Sequence, residues 1–500
     1  MVNAVYYLAC DLGTEIVRVV LGTLSKGQLT LREIHSFPTR TQLVKGQLCW
    51  DLVSLEKELF AGIEKAALLD VPIASLSADS WGIDYILLDE ANRPLQSPVC
   101  SGAKRTDESV ARLLKKMPLS AIYAETGVSL QPLHTLFQME TEYLADPTLF
   151  QRAERFLPVA DYFNTRFSGM AVCEQSLAST TQLYNPQSHA WSPKLVAALE
   201  LPGSILPRLV PSGTVFGPVA PELRRHPSFF DTRAIATCSL DTAAAIAAVP
   251  ARPEQRWAYL HSDIRSQFGV EIHTPNMSSH AREAGFTNEA GLDGSIHFLK
   301  NCAGLGLLWE CRRVWAATGQ TYSDEDLSRM AIQNGPAQAH LAPEDPRFRD
   351  SANLPGEIIA YCRETGQPQP KNPGEIVRIV LESLALACAE TLRQLEALTG
   401  HELEVLHVVG RGSNNDLLNH LIADATGLPV IAGPADAAAI GNILIQALAL
   451  WHIKSPDHLR SIVSSSFPTR ILKPGVGFEQ DVRDKFQALS ERLSVLGSAR

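Results

Sequence analysis

Phosphate chemistry needs backbone donors for an anion and a carboxylate for its metal, and one stretch near the N-terminus supplies both. The apolar run 5–12 ends in Asp11-Leu12-Gly13-Thr14. A glycine at that point lets backbone amides approach an anion, and the aspartate can orient a hydrated magnesium ion. By themselves the same residues also describe a hairpin turn with an incidental aspartate. Further along, Asp241 heads the alanine-rich run DTAAAIAAV, where a carboxylate can serve as a helix N-cap. Gly410-Arg411-Gly412 marks a tight turn between a strand and a helix. The nine cysteines are scattered singly, without close CxxC spacing, and the 14 histidines form no HExxH pattern, so a metal is expected only in the company of a nucleotide.

The elements that must position these residues alternate between strand and helix. Residues 5–12, 17–21 and 29–34 read as strands around a Lys26-Gly27 turn. Leu52, Leu55, Leu59, Phe60 and Ile63 recur at helical spacing, and 73–78 and 85–88 return to strand character. In the second half, 258–261 and 269–273 read as strands, and 375–399 as a long helix introduced by Pro373-Gly374 and closed by Gly400. There follow a strand at 403–409, a helix at 415–425, a strand at 428–432, a helix at 437–450 and a polar, helix-prone tail at 479–500. Two halves that each open with strand, glycine turn and strand suit an ancient duplication. The expected class is an α/β layer fold.

With 500 residues the chain exceeds one core, and a boundary is expected near 250, at the proline-containing PARPEQ connection. A formal net charge of −10 argues against nucleic acid as a partner. The N-terminus lacks a basic region ahead of its apolar run, and no stretch approaches the length of a membrane span, so a cytoplasmic location and no membrane partner are expected.

Taken together, the segments resemble the FGGY carbohydrate kinases over nearly the whole chain. The stretches that carry the resemblance are DLGTEIVRVVLG (11–22), LTLREIHSF (29–37), WDLVSLE (50–56), DSWGIDYILLDE (79–90), PVADYFNTRFSG (158–169), STTQLYN (179–185), SLDTAAAI (239–246), HVVGRGSNN (407–415) and AGPADAAAIGN (432–442). The tryptophan of DSWGIDYILLD and the REIHSF ahead of WD point to the rhamnulokinase-like branch. The resemblance implies two actin-like (ribonuclease H-like) lobes with an interlobe cleft: a sugar-side lobe over 1–250, a nucleotide-side lobe over 251–478 and a helical tail over 479–500. It also implies transfer of the ATP γ-phosphoryl group to the 1-hydroxyl of a ketose such as L-rhamnulose, with Mg2+, by a monomer or homodimer whose partners are a small sugar and a nucleotide.

On the same resemblance Asp241 matches the catalytic base. Gly82, Trp81, Asp84, Leu240, Thr242, Asn301 and Arg105 match sugar-side positions. Asp11, Gly13, Thr14 and Arg18 match the first phosphate motif, with Asp11 also the metal residue. Ile264, Gly410, Arg411 and Gly412 match the nucleotide side.

The departures from the family fall mainly on that nucleotide side. Glu15 replaces a small hydroxyl residue and Val17 a glycine; Ser262-Asp263-Ile264-Arg265-Ser266 stands where relatives read S-G-T-W-S. Trp309 replaces a glutamine, and Arg411 the middle glycine of a GGG turn. On the sugar side, Ser101-Gly102-Ala103-Lys104-Arg105-Thr106 loses an arginine and an aspartate, and Leu240 replaces a histidine. Charge counting pairs Glu15 and Asp263 with Arg265 and Arg411; alternatively the two arginines contact ATP phosphates directly. The function expected first is therefore an active sugar kinase. Its alternative is a catalytically impaired pseudokinase acting as a sugar-binding or regulatory protein.

Overall fold

The computed structural model describes residues 4–101, 105–349 and 351–498. Gly102, Ala103 and Lys104, in the altered 101–106 stretch, lie outside the described residues. The chain forms two compact units. The first comprises Met1–Arg252, Glu271–Leu299 and Asp436–Ser466; the second comprises Pro253–Val270, Lys300–Ala435 and Phe467–Arg500.

The first unit is built on a sheet whose centre is β1 (Val5–Leu12). Tyr7, Leu8, Ala9, Cys10 and Leu12 are all fully buried, as a strand covered on both faces requires. The chain turns at Lys26-Gly27, both at positive φ, between β2 (Ile16–Ser25) and β3 (Gln28–Pro38). With β4 (Ile73–Ser80), β5 (Thr214–Pro218) and β6 (Arg233–Ala236), the sheet order is β5-β6-β4-β1-β2-β3. The strands β1, β4 and β6 run parallel, while β2 is antiparallel to both β1 and β3. Helix Leu52–Ala67 buries Leu52, Leu55, Leu59 and Ile63, one face of a 3.6-residue repeat, and is capped by Asp51, which accepts the Ser54 N–H at 3.0 Å. Phe60, anticipated on the same stripe, sits half-buried beside it.

A second helix of this unit comes from far along the chain. Helix Ala437–Ala449 packs on β1 and β4 and crosses the short helix Asp241–Ala247. At the crossing the two backbones nearly touch. A Cβ placed on Gly441 would stand 1.8 Å from the Ala244 carbonyl oxygen, so only glycine fits.

The second unit repeats the strand pattern. Its sheet is formed by β7 (Trp257–His261), β8 (Arg265–Ile272), β9 (Ile296–Ala303), β10 (Val405–Val409), β11 (Val430–Ala432) and β12 (Arg470–Leu472), in the order β9-β8-β7-β10-β11-β12, with the strand Thr287–Ala290 on the outer edge of β9; that edge strand, the end of β8 and the start of β9 fall in the segment 271–299 counted with the first unit. β7 pairs antiparallel with β8 and parallel with β10, β10 is parallel to β11, and β12 closes the edge antiparallel to β11. β7 and β10 thus play here the parts that β1 and β4 play in the first sheet, the relation expected of a duplication. β8 starts at Arg265, four residues before the strand expected from 269, because Ser266 and Phe268 are drawn into the buried face. The long helix Pro373–Thr399 has the anticipated punctuation: Pro373 at its start, an Asn372 cap, and Gly400 in the left-handed conformation at its end.

Replacing Gly441 by alanine must push the two helices apart. Overpacking of this kind costs about 1–3 kcal/mol, so thermal denaturation of Gly441→Ala is expected to show a Tm several degrees below wild type; an unchanged Tm contradicts the crossing as described.

Candidate active site

Three carboxylates stand at the carboxyl ends of neighbouring parallel strands of the first unit, the edge of an α/β sheet where ligands bind. Asp11 and Asp79 are paired in register near the ends of β1 and β4. Asp241 follows β6, directly after a parallel bridge between Ser80 and Leu240. Asp79 is completely buried. Burial pushes its carboxyl well above the usual range, and the negative charges of Asp11 and Asp241 push it further, against a hydrogen bond from Asn442 and the positive charge of Arg18.

Arg18 organises the outer part of this cluster. Its guanidinium donates to Asp11 Oδ2 at 2.6 and 3.2 Å and to Asp436 Oδ1 at 2.6 Å. Asn442 donates its amide to Asp79 Oδ2 and accepts from Gln446, which in turn donates to the Leu8 carbonyl and accepts from Ser75 Oγ. Asp79 Oδ1 is buried without a hydrogen-bond partner. A divalent cation carried in by a nucleotide would offset the charge of these acids, and Asp11, at the rim of the cluster, would be the acid to hold it.

The turn after β1 is tight. Gly13 donates its N–H to the Ile16 carbonyl at 3.0 Å, and a Cβ at Gly13 would stand 2.7 Å from that oxygen. Thr14 and Glu15 occupy its exposed tip. Val17, where the resemblance leads to an expectation of glycine, is fully buried in β2 opposite Leu12, so its side chain feeds the core instead of blocking the turn.

Asp241 is the first residue of its helix and not its cap. Leu240 is the N-cap residue, and Asp241 Oδ1 accepts the Thr242 N–H at 2.6 Å. Thr242 Oγ1 is buried with no partner. On the sugar side, Asp84 Oδ2 accepts hydrogen bonds from the Trp50 indole at 2.7 Å and the Trp81 indole at 3.0 Å, and the two rings lie 4.7 Å apart. Burial raises the Asp84 carboxyl to about 6, against those donors. Gly82 lies against Thr180, and Ile83 adopts a positive φ of 69° that aims the following backbone. Arg105 is held by Gln138 Oε1 at 2.6 Å. Asn301 belongs to the second unit, on β9, where Gln267 donates to it at 3.3 Å.

The nucleotide-side candidates come together at the turns that follow β7 and β10. Gly410 has a φ of 84°, and Gly412 donates its N–H to the Ser262 carbonyl at 2.8 Å. A Cβ at Gly412 would stand 2.0 Å from Ser262 Oγ. Helix Gly306–Ala317 docks on the same turn, with the Leu305 N–H on the Asp263 carbonyl at 2.9 Å and the Gly306 N–H on that of Ile264 at 3.0 Å. Arg411 and Asp263 form the ion pair that charge counting anticipates: Nη2 stands 2.7 Å from Oδ1 and Nε 3.1 Å from both oxygens. The guanidinium also covers the ring of Trp309, 4.5 Å from its centroid.

Residues 6–248 match the N-terminal domain, and residues 266–450 the C-terminal domain, of the FGGY family of carbohydrate kinases. The chain belongs to this family. Among relatives, the rhamnulokinase of Enterococcus faecalis is 35% identical over 492 residues, 98% of each chain. That of Bacteroides thetaiotaomicron is 34% identical over 468 residues, covering 94% of this chain and 96% of the relative. Within the FGGY family this protein is therefore rhamnulokinase-like. The xylulose kinase of Lactobacillus acidophilus superposes with a TM-score of 0.78 at 16% identity, over 99% of this chain and 98% of that one. The glycerol kinase of Plasmodium falciparum, solved with ADP, gives 0.77 at 15%, over 98% and 97%. Each likeness shows the fold alone, the actin-like α/β architecture.

Several residues of this candidate site lie in stretches that carry the family resemblance but are not singled out by type or spacing. Asp79 ends a strand as an isolated acid, and Asp436 and Asn442 act on partners more than 360 residues away. Trp50 could have been found, since it precedes the Asp51 that caps the helix beginning at Leu52.

The raised Asp84 carboxyl has a consequence for stability. A folded-state value of about 6, above an unfolded value near 3.9, means that stability from this group is complete below about pH 4 and is lost as pH rises to about 6. Chemical denaturation across that window is expected to show wild type falling by about 2–3 kcal/mol relative to Asp84→Asn, which does not titrate; parallel pH profiles contradict it.

Proposed function

We propose that this protein is an ATP-dependent ketose kinase of rhamnulokinase type, moving the γ-phosphoryl group of MgATP to the 1-hydroxyl of a ketose such as L-rhamnulose. The observation that carries the proposal is the placement of Asp241 at the end of a parallel strand beside Asp11 and Asp79, in a chain about a third identical to rhamnulokinases along nearly its whole length. In this reading Asp241 accepts the hydroxyl proton as the phosphoryl group arrives. Its carboxylate is held by the Thr242 amide.

Magnesium bound with the nucleotide would supply charge neutralisation for the phosphates, and Asp11, backed by the buried Asp79, would hold it. Within the first unit, Trp50, Trp81, Asp84 and Thr242 orient the sugar, with Arg105 and Gly82 beside them. In the second unit, the turns at Ile264 and Gly410 to Gly412 receive the nucleotide. The proposal places the protein in the cytoplasm, as a monomer or homodimer.

The second reading, impaired nucleotide binding, is favoured by one observation: Arg411 lies across Trp309 and pairs with Asp263 at the turns where a nucleotide is expected. Magnitudes decide between the two. The Arg411 side chain is 50% exposed and that of Asp263 24%. An exposed ion pair contributes about 0.2–1 kcal/mol and a solvated cation–π contact about 0.5–1. Displacing both weakens nucleotide binding by about 30-fold at most, which millimolar ATP overcomes.

Two measurements test this. Thermal stabilisation by MgATP is expected for wild type, with Arg411→Ala binding tighter by up to about 30-fold; no stabilisation of either protein by millimolar MgATP favours the impaired reading. Asp241→Asn is expected to lose at least about 1,000-fold in kcat while sugar binding stays within a few-fold, and undiminished turnover removes Asp241 from its role.

A further inference from the structure

Behind Asp241 lies a buried acid that the phosphoryl-transfer reading does not use. Glu174 is fully buried, and burial raises its carboxyl against the hydrogen bonds that Ser176 and Ser212 give it. It sits between a two-residue strand, Cys173–Glu174, and the short helix Gln175–Ser179, whose N-cap it forms by accepting the Ser176 N–H at 2.9 Å. A cap needs no more than that, yet this carboxylate receives further donors from far along the chain.

Its Oε2 also accepts the backbone N–H of Ser239 at 3.0 Å and the hydroxyl of Ser176, and its Oε1 accepts Ser212 Oγ at 2.5 Å. The Ser176 hydroxyl, having given its proton to Glu174, accepts the N–H of Leu240 at 3.0 Å. One donor and two lone pairs allow both bonds at once. The last two amides before Asp241 are therefore held by one buried carboxylate, the first directly and the second through a serine. β6 ends at Ala236, so residues 237–240 have left the regular ladder; Ser80 holds the opposite side of the turn by donating to the Ser239 carbonyl at 2.9 Å. Glu174 and Ser80 together grip the peptide that aims Asp241.

We infer that Glu174, acting through Ser176, is a positioning residue for the Asp241 carboxylate; this rests on the proposed role of Asp241 as base. Its task is geometric. A misplacement of about 1 Å at a reacting group costs on the order of 100-fold in rate, while a ligand bound by other side chains loses little affinity. Asp161 supports the arrangement by accepting the Glu174 N–H at 2.9 Å. Burial, and then the neighbouring Glu174 charge, lift the Asp161 carboxyl to about 8, so near neutral pH Asp161 is mostly protonated.

The reading separates variants that keep an acceptor in place from those that move it. Gln at 174 can set its carbonyl where Oε2 stands and turn its amide toward Ser212, whereas Asp withdraws the carboxylate by one methylene and Ser176→Ala removes the link to Leu240. Steady-state kinetics with MgATP and L-rhamnulose, alongside thermal denaturation, are expected to give Glu174→Gln a kcat within about 5-fold of wild type. Glu174→Asp and Ser176→Ala should each lose about 10- to 100-fold in kcat with both KM values within about 3-fold, at assay temperatures well below their Tm. Should Glu174→Asp fail to fold, Ser176→Ala alone decides. Active wild type with Ser176→Ala within 2-fold in kcat overturns the positioning role and leaves the kinase reading standing, as do losses that only track the unfolded fraction. No turnover by wild type overturns the kinase reading itself, and the inference with it.

Discussion

A carboxylate out of reach of water is the constraint on which the first unit's chemistry depends. Leaving Asp79 charged and unpaired in the interior would cost several kcal/mol, so its environment must answer it. Asn442 does so from a helix 363 residues later in the chain, and Gln446 on the same helix face ties that answer to β1 through the Leu8 carbonyl. The helix reaches this depth only because Gly441 lets it lie against the Ala244 backbone. That contact also fixes the helix that Asp241 begins, so one close crossing sets both the buried acid and the proposed base.

In the second unit the altered loops obey a different economy. Two side chains of opposite charge, Asp263 and Arg411, appear on turns that follow adjacent parallel strands, and they neutralise one another while Trp309 takes the guanidinium on its face. Glycine at 304, 306 and 412 still allows the backbone of these turns to pack closely. The turns thus keep a close-packed backbone while carrying a weak, exposed contact. Arginine in such a pair is held loosely enough to exchange a carboxylate for a phosphate oxygen.

Much of the fold was legible because local physics agrees with tertiary demand. The apolar run 5–10 reads as a buried strand, Lys26-Gly27 provides the left-handed turn that joins β2 to β3, and Pro373 with Gly400 brackets a helix whose apolar face is continuous. Asp11 and Asp241 were legible as candidates, the latter through family resemblance. Asp79 and Asn442 lie in stretches that carry the resemblance, but their roles, like that of Glu174, depend on partners that sequence spacing does not encode; Glu174 lies in a strand of only two residues. The return of residues 271–299 and 436–466 to the first unit has no compositional mark either. The Asp263–Arg411 pair was reachable only by asking where added charges must go.

The account turns on where the Asp241 carboxylate meets its substrate. The most direct measurement is a crystal structure of the protein with Mg2+, a non-hydrolysable ATP analogue and L-rhamnulose. The account predicts an Asp241 oxygen within about 2.6–3.2 Å of the sugar 1-hydroxyl, with that hydroxyl facing the γ-phosphorus. A sugar bound with its 1-hydroxyl remote from Asp241, or held by another base, contradicts it.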